Sequence, residues 1–193
     1  AARDAVIAAA DGKVRISKID KKQRRRKPTA PFSTSTLQQE ASRKLGFNTQ
    51  RTMRTAQGLY EGIETDDGTV GLITYMRTDS TNLSADAIAD CRSHIESKYG
   101  KAYLPEKPIS YSSKEGAQEA HEAIRPSNVT VMPSDLDKID PDGVRLYELI
   151  WRQFVACQMT DAQFLSSSIE ITAGDYQLRT RGRVLKFDGF LTV

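Results

Sequence analysis

Ser166-Ser167-Ser168-Ile169-Glu170-Ile171-Thr172, then Ala173-Gly174-Asp175, then Tyr176-Gln177-Leu178-Arg179-Thr180-Arg181-Gly182-Arg183, reads as strand, hairpin turn, strand. Val184 to Val193 adds a further extended piece through Gly189. At the other end of the chain, Lys13-Val14-Arg15-Ile16-Ser17-Lys18-Ile19 alternates charged and apolar residues over its first positions, the pattern of a half-exposed strand. It follows a helix end at residues 3–10, stopped by Asp11-Gly12. The simplest architecture pairs the two ends into one β-rich lobe. The expected fold class is therefore α+β, with a mainly helical domain over 33–161 inserted into a β-rich domain made of 1–32 and 162–193.

Between these ends the apolar period is helical. Leu37, Ala41 and Leu45 recur every fourth residue, Ser35 with Gln38 fits a capping box, and Gly46 suits a left-handed stop. A second helix follows, capped at Asn48 or Thr49, with Met53, Ala56 and Tyr60 as its apolar stripe and Gly62 at its end. The pair resembles a helix-turn-helix, although most helix pairs with short turns do not bind DNA. Thr69–Met76 is a short, nearly continuous apolar run and predicts a buried strand leading into a polar loop. Ser84 caps a third helix with the stripe Ile88, Cys91, Ile95 and Tyr99. A short helix is predicted over 115–124, and Val144–Gln158 is a strongly amphipathic helix with Leu146, Leu149, Ile150, Phe154 and Cys157 on its inner face.

The 193 residues carry 28 Lys+Arg against 25 Asp+Glu, a formal charge of +3, with 38% apolar residues. This is ordinary soluble composition and excludes a collagen-like, coiled-coil or wholly disordered chain. The apolar runs fall far short of the roughly 18 residues that a membrane helix needs. No signal-peptide pattern opens the chain, and its first residue, Ala1, makes a fragment of something longer the expectation. Cys91 and Cys157 lack metal-ligand spacing and read as buried reduced thiols. Bulk charge is too small to imply nucleic acid, so local charge matters more. Six of the seven residues 21–27 are basic. They fit either a nucleic-acid patch or an edge strand protected by charge. Arg179, Arg181 and Arg183 alternate on one face of a late strand, and pairing of the two ends lets both basic stretches share a surface.

The residues with chemical potential cluster in Thr74-Tyr75-Met76-Arg77-Thr78-Asp79-Ser80. In extended backbone a period of two puts Tyr75, Arg77 and Asp79 on one side. A phenol is a competent nucleophile, a guanidinium holds a phosphate by a bidentate fork, and a carboxylate can orient that guanidinium. The set suits phosphoryl transfer to Tyr75, and spacing alone equally fits a core tyrosine beside a surface ion pair. In Ala117–Pro126, His121 lies among alanines that permit close approach, and can donate to a phosphate or move a proton. His94 falls on a solvent-facing position of its helix. Glu115, Glu119 and Glu122 have helical spacing but no accompanying carboxylate cluster, and read as a solvated face rather than a metal site.

Gly71-Leu72-Ile73-Thr74-Tyr75-Met76-Arg77-Thr78-Asp79-Ser80-Thr81 closely resembles the active-site segment of the type IA DNA topoisomerases, in the bacterial topoisomerase I branch. Met76 and Ser80 fit that branch better than the topoisomerase III branch. Pro31–Ala41, Ala117–Pro126 and the stretches Ala173–Tyr176 and Leu185–Leu191 resemble further family segments in the same order. The resemblance implies that Tyr75 is the nucleophile, forming a 5′-phosphotyrosine link and freeing a 3′-hydroxyl. It implies that Arg77 contacts the scissile phosphate and that His121 positions the backbone nearby. It also implies that Arg77, Thr78, Asp79 and Arg125 contact DNA, mainly single-stranded segments.

In the family the whole enzyme relaxes negative supercoils without ATP, passing one strand through the break. It needs Mg²⁺, held by a Toprim domain that nothing in this sequence matches. The resemblance thus implies a tyrosine-bearing fragment of domains II and III, inactive alone, with no metal site of its own. It further implies the remaining domains of the same polypeptide as partners, no membrane, a monomer, and a cytoplasmic location on the bacterial nucleoid. The alternative is a non-catalytic DNA-binding or gating module that uses the helix pair 34–61.

Overall fold

The computed structural model describes residues 2–65, 68–111, 122–136 and 139–193. The fold is α+β, as expected. Ala1–Lys27 and Asp161–Gly189 form one compact unit, and Pro28–Thr160 with Phe190–Val193 forms the other.

The first unit holds helix α1 (Ala2–Ala10) and strands β1 (Arg15–Arg26), β4 (Ala162–Ala173) and β5 (Tyr176–Phe187). The strands form an antiparallel sheet in the order β1-β4-β5, so the two ends of the chain do pair. Gly174 and Asp175 make the tight turn, with Gly174 at φ +56°. A side chain there would also press on the Ala9 carbonyl. Two expectations change. β1 does not stop at Ile19 but runs through the basic stretch to Arg26, paired residue by residue with β4 down to Arg26 opposite Ala162. Residues 184–187 continue β5, and Gly189–Thr192 is a 3-10 turn rather than extended chain.

The second unit is built on α2 (Thr34–Leu45), α3 (Thr49–Glu61), the short pair β2 (Ile63–Thr65) and β3 (Gly68–Val70), α4 (Ala85–Tyr99) and α5 (Pro141–Cys157). It takes in 28–32 and 190–193 besides the predicted 33–161, less Asp161, for local reasons. The Gln153 amide donates to the Thr29 and Ala30 carbonyls, and the Ile124 N–H donates to the Phe32 carbonyl at 2.7 Å. Phe190 N–H donates to the Thr160 carbonyl, and Arg152 donates to the carbonyl of Val193.

α2 begins two residues earlier than its predicted capping box. Ser33 is the N-cap, and Thr36 Oγ1 accepts from the Ser33 N–H at 2.9 Å. Gly46 ends α2 at φ +72°, and Asn48 Oδ1 caps α3 by accepting from Arg51 N–H. α5 is the core helix. Asp140 caps it, and Leu146, Tyr147, Ile150, Trp151, Phe154 and Val155 are buried along it. Burying each large side chain stabilises the unit by roughly 1.5–3 kcal/mol. Its polar tips are satisfied, since Tyr147 O–H donates to Val131 O and Trp151 Nε1–H to Val129 O.

Cys91 and Cys157 are both buried and free, and both thiols point at one acceptor, the Phe154 carbonyl, at 3.7 and 3.0 Å. Burial pushes both thiols up, that of Cys157 to about 12. His94 corrects the sequence reading. It is half-buried rather than solvent-facing, edge-on to Trp151 at 5.5 Å, and its Nε2 has no partner among the described residues. Desolvation, helped by the Lys98 charge, holds its pKa below the usual imidazole value.

Candidate active site

Of the predicted strand 69–76 only Thr69 and Val70 lie in a strand, β3, which pairs with Ile63–Thr65. Leu72 and Ile73 are both buried, and from Tyr75 to Ser80 the segment keeps the alternation the sequence shows. Leu72, Met76, Thr78 and Ser80 are buried, whereas Tyr75, Arg77 and Asp79 are exposed. The segment is held from the inside, without a regular ladder. A side chain at Gly71 would come within 2.7 Å of the Tyr60 carbonyl, so only glycine lets the segment leave β3 here. Leu72 N–H donates to Leu59 O, and Ser127 N–H donates to Leu72 O. Ile73 bridges Pro126. Thr74 N–H donates to Arg125 O, and its hydroxyl donates to Ala123 O at 2.8 Å and accepts from Arg125 N–H at 3.0 Å.

Thr34 supplies the other clamp. Its hydroxyl donates to Met76 O at 2.7 Å and accepts from Thr78 N–H at 2.9 Å, and its own N–H donates to Thr78 O. Each backbone group of an irregular segment needs such a partner, because leaving one buried and unmet costs about 1–3 kcal/mol. Sequence reasoning missed Thr34. Its partners lie more than 40 residues away, and only the Ser-Thr richness of residues 33–36 hints at such a role.

Tyr75 is 47% exposed and meets Tyr60 edge-on, with ring centroids 5.3 Å apart and planes at 67°. Tyr60 was expected in the buried stripe of its helix. That place belongs to Thr52, Ala56 and Leu59, and Tyr60 faces outward at 41% exposure. The contact fixes one edge of the Tyr75 ring and leaves its surroundings open. Arg77 and Asp79 project on the same side as Tyr75, but among the described residues no ion pair joins them, so Asp79 does not orient Arg77 here.

Arg125 is brought close to this segment through Thr74, yet its guanidinium is engaged. It forks onto Glu122 at 2.9 and 3.1 Å and donates to Pro126 O. Its side chain is 15% exposed. Burial pushes the Glu122 carboxyl up, but hydrogen bonds from Arg125 and Ser84 outweigh this and hold it below the usual carboxylate range. Thr78 is buried with its hydroxyl accepting from Ser80 N–H, so it shapes the segment from beneath. His121, Glu115, Glu119 and the predicted helix 115–124 up to residue 121 lie outside the described residues. The helix pair α2–α3 has its Arg51 occupied by a bidentate pair with Asp142, at 2.6 and 2.7 Å.

Among the described residues no group of three or more His, Cys, Asp or Glu side chains converges on a point, so these residues do not fit a metal ion. No described helix is long and apolar enough to cross a membrane.

Comparison with known proteins bears on the same segment. The chain is 60% identical over 167 residues to DNA topoisomerase 1 of Pseudomonas aeruginosa, covering 86% of this chain and 18% of that protein. It is 56% identical to the Escherichia coli DNA topoisomerase 1, again over 86% of this chain and 18% of the relative. The structure matches full-length topoisomerase I from Thermotoga maritima with a TM-score of 0.83 and 39% identity, covering 93% of this chain and 29% of the other. The chain thus spans about a fifth of the length of the curated relatives it matches. The sequence model of the DNA topoisomerase family matches residues 1–193, so the chain belongs to that family.

Proposed function

We propose that this chain carries the nucleophile of a type IA DNA topoisomerase, with Tyr75 as the attacking residue. The observation that carries the reading is the outward set of Tyr75, Arg77 and Asp79 on a segment whose intervening side chains are buried. A core tyrosine would be enclosed, and this one is about half exposed. In the proposed step Tyr75 Oη bonds to the phosphorus of a DNA phosphodiester as the P–O3′ bond breaks. The phenolic proton is lost to solvent, and the released 3′-oxygen takes up a proton to become a hydroxyl. The 5′-phosphate remains on the tyrosine. Attack by the 3′-hydroxyl reverses the step, and ester exchange conserves the bond type, so religation uses no ATP.

Arg77 supplies a planar fork for the charge that develops on the phosphate oxygens. Arg125, engaged by Glu122, acts as a positioning residue by holding residues 123–126 against Thr74. His121 is proposed to steady the DNA backbone. Strand passage, relaxation of negative supercoils and action at the bacterial nucleoid are proposed for the longer protein. So is the Mg²⁺ requirement. The chain alone is proposed to be inactive, as a monomer whose partners are single-stranded DNA and the rest of its own polypeptide.

The test is a covalent-adduct assay on the full-length protein with a labelled single strand. Tyr75→Phe abolishes the adduct while noncovalent binding persists. An adduct at normal yield in that variant removes the assignment.

A further inference from the structure

The β-sheet unit separates its two faces by chemistry. In an antiparallel sheet, residues opposite one another share a face. Lys18, Glu170 and Arg179 form one rung, Asp20, Ser168 and Arg181 the next, and Lys22, Ser166 and Arg183 the third. Arg24 and Phe164 continue the row. These four rungs carry six cations against two carboxylates, whereas the whole chain carries a formal +3. The opposite face has Ile19, Ile169 and Thr180 on one rung and Ile16, Ile171 and Leu178 on another.

Protection of an edge strand needs charges on that strand, on either face. β1 fits this, with Lys21 and Arg25 on the second face. β5 fits it as well, but its Arg179, Arg181 and Arg183 all share one face, a segregation that edge protection does not require, while its other face holds Tyr176, Leu178, Thr180, Gly182 and Val184.

The cationic face is also shaped. The small Ser166 and Ser168 on the central strand leave a concavity of about 460 Å³ between the flanking cations. Two of the arginines are held in place. Arg179 Nε donates to Ser168 Oγ at 2.9 Å, and the Arg183 guanidinium lies 4.3 Å from the Phe164 ring centroid. Among the described residues Arg24 and Arg181 have no partner. Along β5 the arginines repeat about every 6.7 Å, roughly twice the axial rise of one strand in a DNA duplex. Serine hydroxyls and arginine forks are the usual ligands of phosphate oxygens. The one aromatic ring of this face, Phe164, is buried, so the face offers no platform for stacking bases.

We infer that the β1-β4-β5 face bearing Lys22, Arg24, Ser166, Arg179, Arg181 and Arg183 binds the phosphodiester backbone of duplex DNA without reading bases. The inference rests on the reading of this chain as DNA-acting, and it adds a binding surface separate from Tyr75 and Arg77.

The test measures fluorescence anisotropy of a labelled 20-base-pair duplex with the 193-residue chain over a salt series. Arg181→Gln with Arg183→Gln weakens binding at least fivefold and lowers the slope of log affinity against log salt by about 2. Lys21→Gln with Arg25→Gln removes equal charge from the other face and changes affinity less than twofold. Arg181→Lys with Arg183→Lys stays within about threefold of the starting protein, which separates lost charge from lost fold. Equal effects of the two Gln pairs, no duplex binding at low salt, or tighter binding of a single strand of the same sequence overturns the inference. Adduct formation by the full-length protein is read separately. Loss of the Tyr75 adduct assignment with face-dependent duplex binding retained removes only the proposed catalytic role. An intact adduct with face-independent binding removes only this surface.

Discussion

β5 and the segment 71–80 share one sequence signature and achieve it by different means. In β5 the alternation of arginine with Leu178, Thr180 and Gly182 is backed by a continuous ladder to β4. In 71–80 the alternation of Tyr75, Arg77 and Asp79 with Met76, Thr78 and Ser80 stands almost without a ladder. Side-chain hydroxyls of Thr34 and Thr74 do the work that strand partners do in β5. A period of two therefore reports extended backbone and the direction of side chains, not membership of a sheet. A ladder spreads its stability over many equivalent bonds, whereas the site depends on a few irreplaceable ones.

Several substitutions probe that contrast, and the first and largest acts on the exposed side of the site. Tyr75→Phe takes adduct formation by the full-length protein below detection, yet leaves the thermal unfolding of this chain within about 0.5 kcal/mol, as expected for an exposed position. Its buried neighbour behaves oppositely. Met76→Ala empties a fully enclosed position and costs about 2–5 kcal/mol in denaturant unfolding. Equal stability of the two variants would erase the inside–outside distinction. Thr34→Val removes both clamp bonds and costs about 1–3 kcal/mol, because Thr78 N–H loses its acceptor. Thr180→Val on exposed β5 changes stability by less than about 0.5 kcal/mol, measured the same way.

Arg77→Lys keeps the charge and loses the fork, and slows cleavage about tenfold, or about 1.4 kcal/mol, in single-turnover assays. The smallest effect is on pH. Glu122 is held low, so its contribution is present above the unfolded value of 4.5 and is lost as pH falls through its folded value. His94 is also held low, so its contribution is complete above 6.5 and declines as pH falls below that. Acid thus weakens the helical unit in two steps, and His94→Gln removes the upper one from a pH series of melting curves.

Much of the fold was legible because local chemistry dictated it. Gly46, Asn48 and Ser84 cap helices where their backbone preferences place them, and the Gly174 turn joins the predicted strands. β1 was read too short because cations fall on both of its faces from Lys21 onward, which erases the polar–apolar period although the backbone stays extended. Tyr60 was read as core because the helical period alone cannot separate the buried Leu59 from its neighbour. His94 was read as exposed because its cover, Trp151, comes from a helix far along the chain. At the site, the outward placement of Tyr75 and Arg77 followed from local spacing. The engagement of Arg125 by Glu122 and the clamp from Thr34 are products of tertiary structure.

The two sulfur atoms that share the Phe154 carbonyl have a practical consequence. With both sealed and reluctant to ionise, the native surface is blank to maleimide reagents. A single cysteine introduced at an exposed position such as Thr180 accepts a fluorophore there without deletion of the natural pair. Conversely, the rate at which the natural pair becomes alkylated times the spontaneous opening of the α4–α5 interior, a stopwatch that needs no substrate.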